Sequence, residues 1–295
     1  MSTVCRRTPI SADGRLGLPG EHPGRSDPVY LRRRNALAAR ADGHRVGSPS
    51  PAVHYTDEEH RTWQVMHRAL GPALRAHACR AVLQAGEDAG IPAEHIPQHT
   101  EVSSLLAART GFTFTPAGGV VSNERFLGAL EYGYFHAVQF VRHPAVPLYA
   151  PEPDVLHDVF GHGIHLSCPR FARLYRLIGQ AAHRTETAEA LDILSRVYWF
   201  TLEYGLITEC GTPKAYGAAL LSSYGEIAAH DRRMVRPLDF RAAAATPYRI
   251  SGYQPVLYSV RSLAQLEDML GAFCTGFDDD AASRLRVPAL SRDRA

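Results

Sequence analysis

The chain has 295 residues, 45% of them hydrophobic and 21% charged, with a formal net charge of +2. That balance supports a buried core around a desolvated site and excludes a disordered or fibrous chain. It is too near neutral for nucleic acid or an anionic membrane to be the main partner, and no run approaches the ~18 apolar residues of a membrane span.

Residues 1–50 carry nine Arg against four acids and are rich in Pro and Gly without apolar periodicity. This predicts a disordered basic N-terminal tail whose charge is solvated. A single folded domain is expected over 51–280 and a flexible C-terminal tail over 281–295. The five cysteines (Cys5, Cys79, Cys168, Cys210, Cys274) are dispersed, without a Cys-x-x-Cys pair. They read as reduced thiols in a cytoplasmic protein, and no apolar leader precedes them.

Thr56-Asp-Glu-Glu59 is a capping box, and Trp63, Met66 and Leu70 follow at helical spacing. Gly71-Pro72 is expected to break this helix and seed a second, striped by Leu74, Ala78 and Val82 and ended by Gly86. Further helices are predicted from Pro169 (Phe171, Leu174, Ile178) and from Glu189 to Gly205 (Leu191, Leu194, Tyr198, Leu202). Short strands are expected near Gly111–Val121 and Ala215–Ser222. The fold class is mainly α with a small antiparallel β component.

His157 and His162 lie five residues apart, about 140° around an ideal helix, so they do not share a face unless the helix distorts near Gly161. Glu203 sits in Val197-Tyr-Trp-Phe-Thr-Leu-Glu-Tyr-Gly-Leu-Ile207, apolar almost all round, where an ionised carboxylate must be paired or ligated. Two imidazoles and one carboxylate can cap one face of an octahedral Fe(II). On spacing alone, a buried ion pair with Arg196 explains Glu203 equally well. His165 and His183 read as ordinary surface residues or as residues behind the ligands; of the two, only His165 is near enough to compete as a ligand. Glu152, Asp154 and Asp158 crowd the pair, as acids that orient metal-bound imidazoles do, though a helix N-terminus after Pro153 favours acids anyway. Arg142 offers a clamp for a substrate carboxylate. Trp199 and Tyr149 would wall an aromatic ligand or simply fill the core.

Four motifs in order then resemble one family: Pro151-Glu-Pro-Asp-x-x-His-Asp-x-x-Gly-His162; Trp199-Phe-Thr-x-Glu203; Tyr216-Gly-Ala-x-Leu-Leu-Ser-Ser223 with Gly225-Glu226; and Thr246-Pro-Tyr-Arg-Ile250 with Gln254-Pro255. From about His54 to Phe277 the chain resembles the pterin-dependent aromatic amino acid hydroxylases, most closely the short bacterial phenylalanine hydroxylases. The resemblance implies that family's catalytic-domain fold, with Fe(II) held by His157, His162 and Glu203 and a tetrahydropterin as cosubstrate. It implies that Phe126 stacks on the pterin, that Val121 and Asn123 contact it, and that Asp158 and Tyr198 line its pocket. It implies that Arg142, paired with Asp154, holds the carboxylate of L-phenylalanine, with Tyr149, Pro153, Trp199 and Ser222 completing that site and Glu226 behind it. O2 is the further substrate.

The chain departs from the family at Gly163-Ile164-His165, Ala150, Ala219, Tyr204 and Ser251-Gly252. These changes touch the substrate side, so a 3-hydroxylase giving meta-tyrosine stands beside the 4-hydroxylase. A zinc hydrolase with Asp158 as base, and a non-catalytic relative, are the remaining alternatives. With no room for a regulatory domain or an oligomerisation helix, a monomer is expected.

Overall fold

The computed structural model describes residues 7–230, 233–250 and 252–285. Helices dominate. The Thr56 capping box forms as expected, with the Thr56 hydroxyl accepting from Glu59 N and the Glu59 carboxylate accepting from Thr56 N. The helix it opens does not stop at Gly71-Pro72. With α1 spanning Pro28–Ala38, this second helix, α2, runs unbroken over Asp57–His77. Trp63, Met66, Leu70 and Ala73 form one buried face on both sides of the proline, and that packing outweighs the ~3 kcal/mol cost of Pro in a helix. The break falls at Ala78 and Cys79, where Cys79 N donates to the Ala215 carbonyl. Helix α3 then covers Arg80–Ala89 and ends at Gly90, in the left-handed region at φ 56°; Gly86 lies inside it.

Residues 7–50 correct the expectation of a disordered tail. Strands β1 (Thr8–Pro9) and β2 (Leu16–Gly17) pair antiparallel, and α1 follows. The Asp27 carboxylate caps α1 by accepting from Val29 N and Tyr30 N. Two of the arginines read as solvated are pinned to the body: Arg33 to Glu59 at 2.9 Å and Arg34 to Glu152 at 2.6 Å, with Arg34 also over the Phe140 ring at 4.1 Å. Composition suggested disorder because the acids that neutralise this segment lie far along the chain. At the other end, α14 (Asp279–Leu285) is helical, and residues 286–295 lie outside the described residues.

Helix α4 (His99–Thr110) leads into β3 (Thr113–Ala117), α5 (Asn123–Glu131) and β4 (Tyr134–Val138); β3 and β4 pair in parallel, Thr113 opposite Tyr134. Helix α6 (Val155–His157) continues into a π-helical turn over Asp158–Gly163 and then α7 (Ile164–Ser167). Helix α8 (Pro169–His183) packs on α5 and on α9 (Ala188–Tyr198), which itself runs into a second π-helical turn over Trp199–Glu203. A four-stranded sheet follows in the order β6-β5-β8-β7: β5 (Leu206–Glu209) pairs antiparallel with β6 (Thr212–Ala215), while β8 (Val256–Val260) runs parallel to both β5 and β7 (Met234–Pro237). The second expected strand region instead turns helical as α10 (Ala218–Leu221), because its Ala and Leu side chains pack inwards. Helices α11 (Tyr224–Ile227), α12 (Phe240–Ala245) and α13 (Leu263–Thr275) complete the element order up to α14, and α13 packs on α8. Among the described residues, no helix is long and apolar enough to cross a membrane.

Candidate metal centre

The distortion that the histidine spacing required is a π-helical turn. In π geometry residues five apart come into register, so His157 and His162 turn to one point. Their Nε2 atoms lie 3.0 Å apart. Glu203, at the end of the second π-helical turn, places Oε1 3.1 Å from His162 Nε2 and Oε2 3.8 Å from His157 Nε2. Donors at right angles on metal bonds of ~2.1 Å lie about 3 Å apart, so these edges suit three cis positions of one ion. Among the described residues this is the group of His, Cys, Asp and Glu side chains that converges so as to hold a metal.

Helix α10 is the wedge that locks the two turns together. A Cβ on Gly161 would meet the Ala218 carbonyl oxygen at 2.5 Å, and one on Gly217 would meet the Glu203 carbonyl oxygen at 2.3 Å. Both contacts are to backbone, so the glycines are required by close approach. Gly217→Ala is expected to destabilise the fold by about 1–3 kcal/mol and to weaken metal binding by shifting Glu203. Thermal melts with and without added metal check both effects.

The donor set is arranged to be bare. The Ser222 hydroxyl donates to the Ala218 carbonyl at 3.1 Å and accepts from His157 Nδ1 at 2.8 Å, which leaves His157 Nε2 with its lone pair. Burial, and then the neighbouring His162, push the His157 imidazole down to about 4, so it is neutral near neutral pH. Burial opposes ionisation of Glu203, but the imidazoles of His162 and His157 outweigh it and hold the carboxyl below its usual range. Arg196, the ion-pair partner the sequence offered, turns instead to Asp192 at 2.5 Å and to the Ala244 carbonyl. Among the described residues Glu203 Oε2 has no hydrogen-bond partner. A buried carboxylate beside two imidazole nitrogens and no side-chain cation is the chemistry of a divalent metal site. His165 is no ligand: it is fully buried with both ring nitrogens engaged elsewhere. His183 pairs with Glu131 at 2.7 Å.

Two cavities open on these ligands, the first on His157 and Glu203 and the second on all three. The first, of ≈ 660 Å³, is lined by Arg142, Tyr149, Pro153, Trp199, Ser222 and Glu226. Arg142 is buried with Asp154: Nε and Nη2 donate to the two carboxylate oxygens at 2.9 and 2.8 Å, and Nη1 reaches the Pro147 carbonyl at 3.4 Å. Asp154 also accepts from His157 N and so caps α6. With the Nε side of the fork occupied, the Nη1/Nη2 end still carries hydrogens for a second carboxylate. Burial pushes the Glu226 carboxyl up to about 7 while it accepts from Gln254 N at 2.7 Å. Ala150, Ala219 and Tyr204 line this cavity too, as does Gly252, whereas Ser251 lies outside the described residues.

The second cavity, of ≈ 760 Å³, is lined by Val121, Asn123, Phe126, Asp158 and Tyr198. Phe126 meets Tyr198 and Phe135 edge-on, at 5.4 and 5.5 Å between ring centres, which leaves a ring face for a flat ligand. Asp158 accepts from Val138 N at 2.7 Å, and burial raises its carboxyl well above the usual range. Sequence reasoning missed Tyr248, which stacks on Trp199 at 4.5 Å, and the buried His136; both line this second cavity. It also missed that Tyr253 and Glu152 line the first. A histidine within the apolar strand Tyr-Phe-His-Ala-Val138 was the available signal for His136.

The family described as biopterin-dependent aromatic amino acid hydroxylase matches residues 8–284. The chain is 41% identical over 268 residues to the phenylalanine 3-hydroxylase of Streptomyces coeruleorubidus, covering 91% of this chain and 96% of that protein. It is 37% identical over 262 residues to the phenylalanine-4-hydroxylase of Rattus norvegicus, covering 87% of this chain but only 58% of the animal enzyme. The structure of phenylalanine hydroxylase from Chromobacterium violaceum with bound iron(III) and oxidised cofactor 7,8-dihydrobiopterin superposes with a TM-score of 0.73 at 28% identity, covering 82% of this chain and 89% of that one.

Proposed function

We propose, for a chain that belongs to the biopterin-dependent aromatic amino acid hydroxylases, that it hydroxylates the ring of L-phenylalanine with O2, giving tyrosine. The observation that carries this reading is the placement of one His-His-Glu cluster where an arginine-bearing aromatic cavity and a phenylalanine-walled cavity meet. Fe(II) on His157, His162 and Glu203, with a tetrahydropterin beside Phe126, would supply the activation of O2, the pterin giving two electrons and taking one of the two oxygen atoms.

The chain's own residues do the rest. Arg142 holds the substrate carboxylate, and Asp154 fixes the guanidinium that does so. Trp199, Tyr149 and Pro153 wall the ring and exclude water, since a displacement of order 1 Å redirects or slows such a reaction. Phe126 stacks on the pterin, Val121 and Asn123 contact its edge, and Tyr198 closes its pocket. Asp158, its carboxyl pushed up by burial, faces the pterin side as the acid of that pocket. Glu226, poised near neutrality, exchanges a proton on the substrate side. Ser222 holds His157.

A second reading, attack at the meta carbon, is favoured by two observations: the 41% identity to a phenylalanine 3-hydroxylase, and the position of Ala219 and Tyr204 on the amino-acid cavity. Chromatography of the product against ortho-, meta- and para-tyrosine, with oxygen uptake and metal analysis, tests both. A protein reconstituted with Fe(II) that consumes no oxygen in the presence of phenylalanine and reduced pterin would sink the hydroxylase reading. Replacing Ala219 with Gly and Tyr204 with Phe is expected to change the meta-to-para ratio severalfold; an unchanged ratio removes these positions from the control of regiochemistry.

The protein is read as cytoplasmic, with free thiols at Cys79, Cys168, Cys210 and Cys274, and as a monomer, which the molar mass from light scattering checks.

A further inference from the structure

We infer that His165 and Tyr175 are positioning residues that set which nitrogen of His162 is free for the metal, through a one-way chain of hydrogen bonds. The inference rests on the iron-site reading above. His165 is fully buried, second in a four-residue helix, and stacks flat on Phe171, 4.4 Å between ring centres and 9° apart in plane. Its Nε2 lies 2.5 Å from the Tyr216 carbonyl oxygen. A carbonyl only accepts, so His165 Nε2 carries a hydrogen.

The other nitrogen, Nδ1, lies 2.9 Å from the Tyr175 hydroxyl. Among the described residues no carboxylate bonds to this ring, so a second proton there would bury an unpaired charge. His165 is therefore neutral, Nδ1 has a lone pair, and the Tyr175 hydroxyl donates to it. A hydroxyl has one hydrogen. The same oxygen, 2.8 Å from His162 Nδ1, must then accept from a hydrogen on that nitrogen. His162 is left as the Nδ1–H tautomer, with its Nε2 lone pair aimed at the point shared by His157 and Glu203.

On the sequence His165 could be a rival ligand, a surface residue or a residue set behind the ligands. The geometry selects the last and gives it a route to His162. A ligand imidazole is commonly oriented by a carboxylate or a backbone carbonyl. Here the carbonyl of Tyr216 does so at a distance, through two intervening side chains. Tyr216 directly precedes Gly217, whose close approach positions the Glu203 backbone, so one short segment helps to position both His162 and Glu203.

The test uses the full chain. With Zn(II) bound as a diamagnetic probe, nitrogen-15 spectra of labelled histidine should show His165 neutral and protonated on Nε2. Protonation on Nδ1 would reverse the chain and overturn the inference. Co(II) titration of the metal-stripped chain then reads the variants. Tyr175→Phe and His165→Leu are each expected to weaken Co(II) binding by about 10–100-fold. The effect of His165→Leu is the diagnostic one, because His165 does not touch His162. Without it the Tyr175 hydroxyl turns to donate to His162 Nδ1 and stabilises the tautomer that cannot bind metal. The double variant should bind no more weakly than Tyr175→Phe alone, since both changes cut one chain. Full Co(II) affinity in a folded His165→Leu protein, or losses that simply add in the double variant, would overturn the inference. Should His165→Leu fail to fold, the Zn(II)-bound spectra of the unmodified chain and the Tyr175→Phe titration still decide it.

Discussion

Glu203→Ala should abolish stoichiometric iron binding and, with it, turnover. The side chain is the only anion of the three converging donors, and among the described residues no arginine or lysine pairs with it. Without it a divalent ion would sit in an apolar enclosure on two neutral imidazoles, its charge uncompensated. The loss should also appear as a loss of linkage. Metal at a hundred times its dissociation constant stabilises a folded protein by about 2.7 kcal/mol, a rise in Tm of roughly 2–4 °C per kcal/mol for a domain of this order of size. The unaltered chain should show that rise on adding Fe(II) anaerobically, and Glu203→Ala should show none. A variant with full iron occupancy and normal turnover would refute the ligand assignment.

Arg142→Ala should raise the KM for L-phenylalanine by a factor of about 30 or more, because removing one partner of a buried charged pair costs upwards of ~2 kcal/mol. The KM for the pterin should change little, because Arg142 lines the first cavity and not the second. The alanine variant also leaves Asp154 buried without its cation, at a cost of about 3–5 kcal/mol in stability, and so loosens the cap that starts the ligand helix. Arg142→Lys separates the two effects. It keeps a cation beside Asp154 but lacks the planar fork. Its melt should stay near that of the parent while the phenylalanine KM remains raised. Equal changes in both KM values would count against a carboxylate clamp.

The metal site was only half legible before the fold was known. Glu203 stood out because an acid in an apolar helix needs a reason. The histidine pair did not, because a five-residue spacing looks wrong on an α-helix and becomes right only in the π-helical turn over Asp158–Gly163. The motifs supplied what periodicity lacked, since they carry the local distortion with them. Arg33 and Arg34 were misread because their acids, Glu59 and Glu152, lie 26 and 118 residues away. Local composition cannot see such pairs. The helix through Pro72 was misjudged for a related reason: a local breaker was weighed without the buried face that overrides it. The chain behind His162 was invisible in the sequence, because Tyr175 and His165 meet only when α7 and α8 fold against each other.

The N-terminal segment holds two residues of the amino-acid cavity from outside. His22 meets Tyr149 edge-on at 5.8 Å, and Arg34 grips Glu152. If this cavity takes the amino acid as proposed, substrate affinity and the seating of this segment are coupled free energies, and coupling is reciprocal. A molecule that orders Tyr149 and Glu152 from within would then tighten the arm, and whatever dislodges the arm would weaken the grip on the amino acid. On that reading residues 7–50 act as a girdle whose tension is felt at the ring-binding end, without one of their atoms needing to reach the substrate.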